Sequence, residues 1–162
     1  MSNIDDQINS ILNEIGVVDK KPVMYNVRMS NEEIKDCGKR HDHDAIPTLI
    51  QILINNTYDI DKVSSVAWAL GSIASDQALT TLIQVLPRID DPVAREKIVW
   101  AMGEMKNPRA FSTLVKILKD ASESFEVKWA AAIAMKSIGK EEEVTPLIDA
   151  LKKIMIQKAQ GG

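Results

Sequence analysis

Residues 78–86 read ALTTLIQVL, and close versions of this stretch occur at three other places in the chain. The four copies align without a gap, and their first residues are 33, 32 and 33 positions apart. A constant period of this length indicates a solenoid, in which each unit buries its apolar face only against a neighbouring unit. The other copies are residues 45–53 (AIPTLIQIL), 110–118 (AFSTLVKIL) and 143–151 (EVTPLIDAL).

A second recurring segment, rich in small residues, precedes the later copies. It reads AWALG at 67–71, VWAMG at 99–103 and AIAMK at 132–136, and each ends seven residues before the next copy begins. Apolar residues spaced by four and then three positions give each segment one buried helical stripe. We therefore predict antiparallel helix pairs, eight or nine helices in all, and an all-α fold of the alpha-alpha superhelix class. The stripes are Val66, Leu70 and Ile73, then Ile98, Met102 and Met105, then Ala131, Met135 and Ile138.

Capping residues mark the joints between these helices. Residues with short polar side chains are the preferred N-caps, and proline is favoured at the first helical position. The predicted caps are Asp44, Asp76 and Asn107 for the first helices of the pairs, and Asp61 and Asp91 for the second. Three small residues of the second helices are expected to let neighbouring backbones approach closely: Ala69, Ala101 and Ala134.

The chain divides into three predicted parts. Residues 1–40 are expected to form N-terminal capping helices and an extended connection. The first helix has the apolar stripe Ile4, Ile8, Ile11, Leu12 and Ile15 and ends at Gly16, and residues 17–29 form the connection. The Ser30–Glu33 spacing matches a capping box and predicts a short helix over residues 31–39. The repeat array, residues 41–158, holds three full repeats and a terminal half repeat, and residues 159–162 are a tail.

Composition excludes several classes of protein. Hydrophobic residues make up 45% of the 162 residues, which excludes a disordered chain, while aromatic residues make up only 4%. A net charge of -3 provides no field to attract nucleic acid. The single cysteine, Cys37, excludes an internal disulfide framework. No secretory signal and no membrane-spanning run is recognised, so we expect a cytoplasmic protein without nucleic-acid or membrane partners.

The repeats resemble HEAT-like repeats of the phycobilisome-lyase (PBS lyase) type. Residues 45–53 match that family's first-helix pattern A-x-P-x-L-I-x-x-L, and residues 67–73 and 127–135 match parts of its second-helix pattern, V-R-x-x-A-A-x-A-L-G-x-I. The resemblance implies a short right-handed solenoid whose second helices line a concave surface. The family's arginine is present only as Arg95, with Val63 and Lys128 in its place elsewhere, so an inter-repeat Asp–Arg ladder is not expected.

The three tryptophans are the leading candidates for a functional surface. Trp68 and Trp100 are repeat-equivalent, and Trp129 falls one turn earlier on the same helical face, away from the buried stripes. Tryptophan is enriched among interface hot spots, but rings at these positions are also suited to filling gaps between the second helices. Both interpretations remain open. The predicted partner-binding residues are Trp68, Trp100, Trp129, Ser64, Ser72, Glu96, Lys97, Glu104, Ile133 and Lys136.

A metal site is the second candidate, and it is the weaker one. Cys37, His41 and His43 bring a thiol and two imidazoles into seven residues, a feasible zinc set. However, a His-x-His sequence is common in joints between helices, and Cys37 corresponds to the buried Leu70 in the next repeat. We therefore predict neither a metal nor a cofactor. Common catalytic motifs, including a Gly-rich phosphate loop and G-x-S-x-G, are absent, which disfavours an enzyme.

These observations favour a non-catalytic protein–protein interaction or scaffold module that binds a protein or peptide partner in its concave face. The alternative, implied by the resemblance alone, is a subunit of a bilin lyase or a chaperone of chromophore attachment. Self-association through the C-terminal helix is a further expectation. In that helix, predicted over residues 141–156, Leu147, Leu151 and Ile154 are predicted to form a buried stripe, with Ile148 and Met155 left uncovered.

Overall fold

The computed structural model describes residues 28–139 and 141–161, and over these residues it contains eight α-helices and no strand. The predicted all-α superhelix is confirmed. The predicted first helix and most of the connection after it lie outside the described residues. The helices are α1 (Asn31–Lys39), α2 (Ile46–Asn55), α3 (Ile60–Ile73), α4 (Asp76–Val85), α5 (Pro92–Glu104), α6 (Phe111–Lys119), α7 (Phe125–Ser137) and α8 (Glu141–Gln160).

Short 3₁₀ turns complete the described fold. His43–Ala45 and Pro108–Ala110 lead directly into α2 and α6, and Leu86–Arg88 follows α4. The helices pair as α2 with α3, α4 with α5, and α6 with α7. Helix α1 lies before the first pair, and α8 packs on α7 after the last one. The array therefore contains three helix pairs with a single helix at each described end.

The capping box of α1 is confirmed. The Ser30 hydroxyl accepts a hydrogen bond from the backbone N–H of Glu33 (3.2 Å), and the Glu33 carboxylate accepts one from the backbone N–H of Ser30 (2.7 Å). The backbone N–H of Ser30, followed by its hydroxyl, holds the pKa of the Glu33 carboxyl below its usual value because both hydrogen bonds favour the ionised form. Helix α1 begins and ends at the predicted residues.

Two later caps are also confirmed, and three are wrong. Asp91 accepts from the backbone N–H of Ala94 (2.9 Å), and Asn107 accepts from that of Arg109 (3.0 Å). Where the sequence offers two polar residues close together, the one with extended backbone is the cap, because only that conformation points its side chain at the free N–H groups. Asp42, Asp59 and Ser75 cap these joints instead of the predicted Asp44, Asp61 and Asp76.

Helix α1 takes the position of a second helix, because Gly38 precedes the first repeat copy by seven residues as Gly71 precedes the next. Together with α3, α5 and α7 it forms one closely packed layer, whose members contact one another more extensively than the first helices do. Glycine makes this spacing possible. A Cβ atom on Gly103 of α5 would lie 2.8 Å from the Cα atom of Ala134 on α7, and one on Gly71 of α3 would lie 3.1 Å from the Cβ atom of Ala101 on α5. A stack bends toward its more closely spaced layer, so this layer corresponds to the concave face that the sequence analysis predicts.

Gly103→Ala is therefore expected to destabilise the protein by about 1–3 kcal/mol, the usual range for overpacking. The added methyl group meets the backbone of α7, which cannot move without opening the concave layer. Gly71→Ala is the control, because its nearest contacts are longer, at 3.1 to 3.3 Å, and it should cost less. Urea unfolding of both variants measures the difference. Equal losses, or a larger loss for Gly71→Ala, would contradict this account of the spacing.

The C-terminal helix differs from its prediction. It runs to Gln160, beyond the predicted end at Ile156. Its buried stripe is Val144, Ile148 and Leu151, so the prediction that Ile148 is uncovered is wrong, as is the burial of Ile154. The apolar residues left exposed near the end of α8 are Ile154, Met155 and Ile156.

Candidate partner-binding site

Two of the three tryptophans line one cavity on the concave face. It has a volume of about 480 Å³, lies between α3 and α5, and has Trp68 and Trp100 in its wall. Gly71 and Ala101 contribute no bulk there because they are the small residues at which the two helices meet. We call this cavity the tryptophan groove; its remaining lining residues are His41, Ser64, Ser72, Ala74, Lys97 and Glu104.

Trp68 leaves nearly half of its surface exposed, with 46% accessible to solvent. Its indole edge rests against α1, where a Cβ atom on Gly38 would lie only 2.7 Å from the Cζ3 atom of the ring. The absent side chain of Gly38 therefore leaves room for the ring to lie against α1. An exposed aromatic side chain that one helix supports from behind is suited to contact with a ligand.

Trp100 is half-buried, and its polar atom already has a partner. The indole Nε1–H donates a hydrogen bond to the Glu96 carboxylate one turn earlier (3.1 Å). The same carboxylate lies 3.8 Å from the Lys97 ammonium group, whose side chain is 45% exposed. Because Trp100 needs no further hydrogen bond, what it offers to the groove is the apolar surface of its ring. Lys97 and Glu104 supply charge of both signs in the lining.

A second cavity, of about 450 Å³, adjoins the tryptophan groove and shares Ser64, Trp68 and Lys97 with it. We call it the Asn31 cavity; its other lining residues are Asn31, Lys35, Asp61 and Ser65. The Asn31 Oδ1 atom is buried and has no hydrogen-bond partner among the described residues. An unsatisfied buried acceptor costs about 1–3 kcal/mol. Trp68 therefore stands between two adjoining depressions of the surface.

Not every residue predicted for the site lies in the groove. Trp129 stacks on Phe125 one turn earlier, with ring centroids 6.4 Å apart and an interplanar angle of 19°. Ile133 is half-buried against the core, and Lys136 is exposed on α7. Neither these two residues nor Trp129 lines either of the two cavities. Glu96 acts through its hydrogen bond to Trp100.

Sequence reasoning missed several lining residues. Asn31 and Lys35 belong to α1, which the sequence analysis treats as an N-terminal capping helix and not as part of the site. His41 entered the sequence analysis as a weak metal candidate, and the structure places it at the groove instead. The position of Gly38, seven residues before the first repeat copy, already predicts that α1 is the second helix of a degenerate first unit. Extending the tryptophan face of α3 to this neighbouring helix could have found these residues.

The three candidate metal ligands, Cys37, His41 and His43, have different surroundings. Cys37 is buried in the core, and His43 is exposed. His41 has a left-handed backbone (φ 51°), and its Nδ1 atom lies 2.7 Å from the Ser72 carbonyl oxygen, which fixes the end of α1 against α3. Among residues 28–139 and 141–161, no group of three His, Cys, Asp or Glu side chains is arranged to hold a metal ion.

A larger cavity, of about 680 Å³, lies at the joints between the helices of the second and third pairs. Three of its charged residues are engaged within the fold. Arg95 and Glu123 pair with each other, and the Asp120 carboxyl accepts hydrogen bonds from the hydroxyl and the backbone N–H of Ser122, which lower its pKa. Asp90 and Lys116 also line this cavity, and neither tryptophan of the groove does.

Comparison with known families agrees with this architecture. The family model for HEAT repeats matches residues 79–153, and the model for the PBS lyase HEAT-like repeat matches residues 64–86. Residues 64–153 therefore carry HEAT-like repeats. The second match runs through most of α3 and all of α4, so it includes Trp68 and Gly71 of the tryptophan groove. No curated protein sequence shows detectable similarity to the chain.

None of the helices within the described residues has both the length and the apolar character that crossing a bilayer requires.

Proposed function

We propose that this HEAT-like repeat protein is a non-catalytic interaction or scaffold module that binds a protein or peptide segment at the tryptophan groove. HEAT repeats generally mediate protein–protein interaction. The exposure of Trp68 beside Trp100 on the layer of second helices is the observation that supports binding at this groove. Stacked helix repeats use such extended concave surfaces for binding.

The lining of the groove supports a peptide ligand rather than a phosphate chain. The two indole rings provide apolar surface, and Lys97 and Glu104 place opposite charges in the same lining. Ser64 adds a hydroxyl group that can donate or accept a hydrogen bond. A volume of about 480 Å³ accommodates one or two apolar side chains of a bound segment. We infer that such a side chain is the anchor and that the charged residues fix its direction.

The test uses peptides selected from a displayed random library against the immobilised protein, because the natural partner is unknown. Trp68→Ala is expected to weaken binding of the selected peptides by more than tenfold, because truncating a hot-spot tryptophan costs about 2 kcal/mol or more. Isothermal titration calorimetry gives the dissociation constants. The thermal midpoint should move little because Trp68 is not a core residue.

Tyr58→Ala is the matched control. Tyr58 is an aromatic residue that is 91% exposed, it precedes α3, and it does not line the groove. It should leave peptide affinity unchanged. Peptides whose affinity survives Trp68→Ala but falls with a substitution elsewhere would place the binding surface outside the groove. A large fall in the thermal midpoint of Trp68→Ala would instead favour the gap-filling interpretation of the ring.

A second candidate function is that of a bilin lyase subunit or a chaperone of chromophore attachment. It is supported by the match of residues 64–86 to the PBS lyase HEAT-like repeat. The matched positions are mainly packing positions of α3 and α4, so the match bears on the repeat type more than on chemistry. Titration with a free bilin separates the two functions, because a change in bilin absorbance that Trp68→Ala abolishes would favour the chromophore role.

A further inference from the structure

The described chain begins beside the Asn31 cavity. Met29 packs against the core, and its carbonyl oxygen accepts a hydrogen bond from the Lys62 ammonium group at 2.7 Å. Two residues later Asn31 lines the cavity together with Trp68. The twenty-seven residues before Arg28 are therefore tethered at one end of the surface that holds both cavities.

The sequence of that tethered segment has the chemistry of a groove ligand. Residues 3–15 place five aliphatic side chains, from Ile4 to Ile15, on one helical face. The segment before Lys20 contains Asp5, Asp6, Glu14 and Asp19 and no lysine or arginine. An amphipathic helix that lays its apolar face into a groove is a common mode of peptide recognition.

The charge of the cavity at which the segment is tethered is complementary. The Asn31 cavity is lined by Lys35 and Lys97 against the single carboxylate of Asp61. The ammonium group of Lys62, which binds the Met29 carbonyl oxygen, adds a further positive charge at the point of tethering. Glu104 lies in the tryptophan groove, so the acidic end of the segment should favour the Asn31 cavity.

We propose that residues 3–15 bind in cis across Trp68, with their apolar face on the indole ring, and so compete with an external partner for the tryptophan groove. The proposal rests on the proposed function, because it names the regulation of the same site. The connection is long enough, since the eleven residues 17–27 reach up to about 36–40 Å when extended. A tethered ligand of this kind acts at an effective concentration on the order of 1 mM.

The accessibility of the indole N–H groups tests the cis contact in the full chain. Nitrogen-15 spectra resolve the tryptophan signals, Trp68→Phe assigns that of Trp68, and a soluble gadolinium chelate reports solvent access to each. The double variant Ile8→Asp, Ile11→Asp is expected to raise the relaxation of the Trp68 N–H severalfold and to leave that of Trp129 unchanged. The control Ser10→Asp, Asn13→Asp adds the same charge on the opposite face of the predicted helix and should change neither signal.

A synthetic peptide of residues 1–16 provides the second measurement. With a dissociation constant near 100 µM, its apparent affinity for the parent chain should be about tenfold weaker than for the double variant, because the cis segment competes at about 1 mM. Equal Trp68 accessibility in parent and double variant, or equal peptide affinity for both, overturns the proposal. Protection that disappears on dilution also overturns it, because the segment would then come from a second copy. The loss of library peptides on Trp68→Ala tests the proposed function separately and does not depend on any of these outcomes.

Discussion

Glu123→Ala is expected to lower the free energy of unfolding by about 3–5 kcal/mol, the cost of removing one partner from a buried ion pair. The Glu123 side chain is 6% exposed and that of Arg95 is 19% exposed. The Arg95 Nε–H lies 3.2 and 3.1 Å from the two carboxylate oxygens, and Nη2 donates to one of the same oxygens. Without Glu123, the guanidinium group would stay in the same partly dry surroundings with its charge uncompensated.

The position of Arg95 makes this loss larger than that of an ordinary surface ion pair. Its Nη1 group donates to the carbonyl oxygens of Leu86 (2.8 Å) and Ile89 (3.0 Å) in the joint between α4 and α5. Glu123 belongs to the next joint, between α6 and α7. One guanidinium group therefore connects two successive joints of the array.

Glu126→Ala is the matched control. Glu126 is an exposed carboxylate in the first turn of α7, three residues after Glu123, and its removal should cost at most about 0.3–1 kcal/mol from the helix dipole. Urea unfolding followed by circular dichroism measures both variants. Losses of similar size would show that the Arg95–Glu123 pair contributes no more than a surface charge. The double variant Arg95→Met, Glu123→Leu should recover much of the loss, because a matched apolar pair leaves no charge unpaired.

The sequence predicted the features that the repeats share and those that local patterns determine, but not the side-chain contacts between one joint and the next. Helix α1 was placed correctly because the Ser30–Glu33 capping box is a local pattern that requires no tertiary contact. The Arg95–Glu123 pair could not be predicted, since its partners are 28 residues apart and Glu123 lies in a joint. Periodicity reveals only what successive repeats share. The repeat position of Arg95 is occupied by Val63 in the preceding repeat and by Lys128 in the following one, so it shows no common residue.

The candidate site was likewise predicted correctly where it follows the repeat positions and incorrectly where it depends on other contacts. Trp68 and Trp100 meet at one groove because they occupy equivalent positions on adjacent helices. Trp129 is one turn earlier, and there Phe125 lies within stacking distance, which the repeat alignment did not anticipate. In α8 the error has a different cause. No second helix follows to fix its rotation within the described residues, so the phase of its buried stripe depended on packing against α7 alone.

Leu82→Ala is expected to cost about 2–5 kcal/mol, the range for a large-to-small change in a packed core. Leu82 is fully buried in the middle of α4, a helix that contacts α2, α3 and α5. The surrounding array cannot close around the cavity without disturbing more than one repeat. Its repeat equivalents Leu49 and Leu114 are equally buried, which indicates that the position is a core position of the repeat itself.

Leu147→Ala is the matched control, because Leu147 is the repeat equivalent of Leu82 in the last copy. Leu147 is only half-buried on α8, so the same chemical change removes fewer contacts there and should cost clearly less in urea unfolding. A loss below about 1 kcal/mol for Leu82→Ala would contradict its place in the core. Equal losses for the two variants would mean that burial by neighbouring repeats does not determine the contribution of this leucine. Burial between neighbouring repeats is what stabilises a solenoid fold.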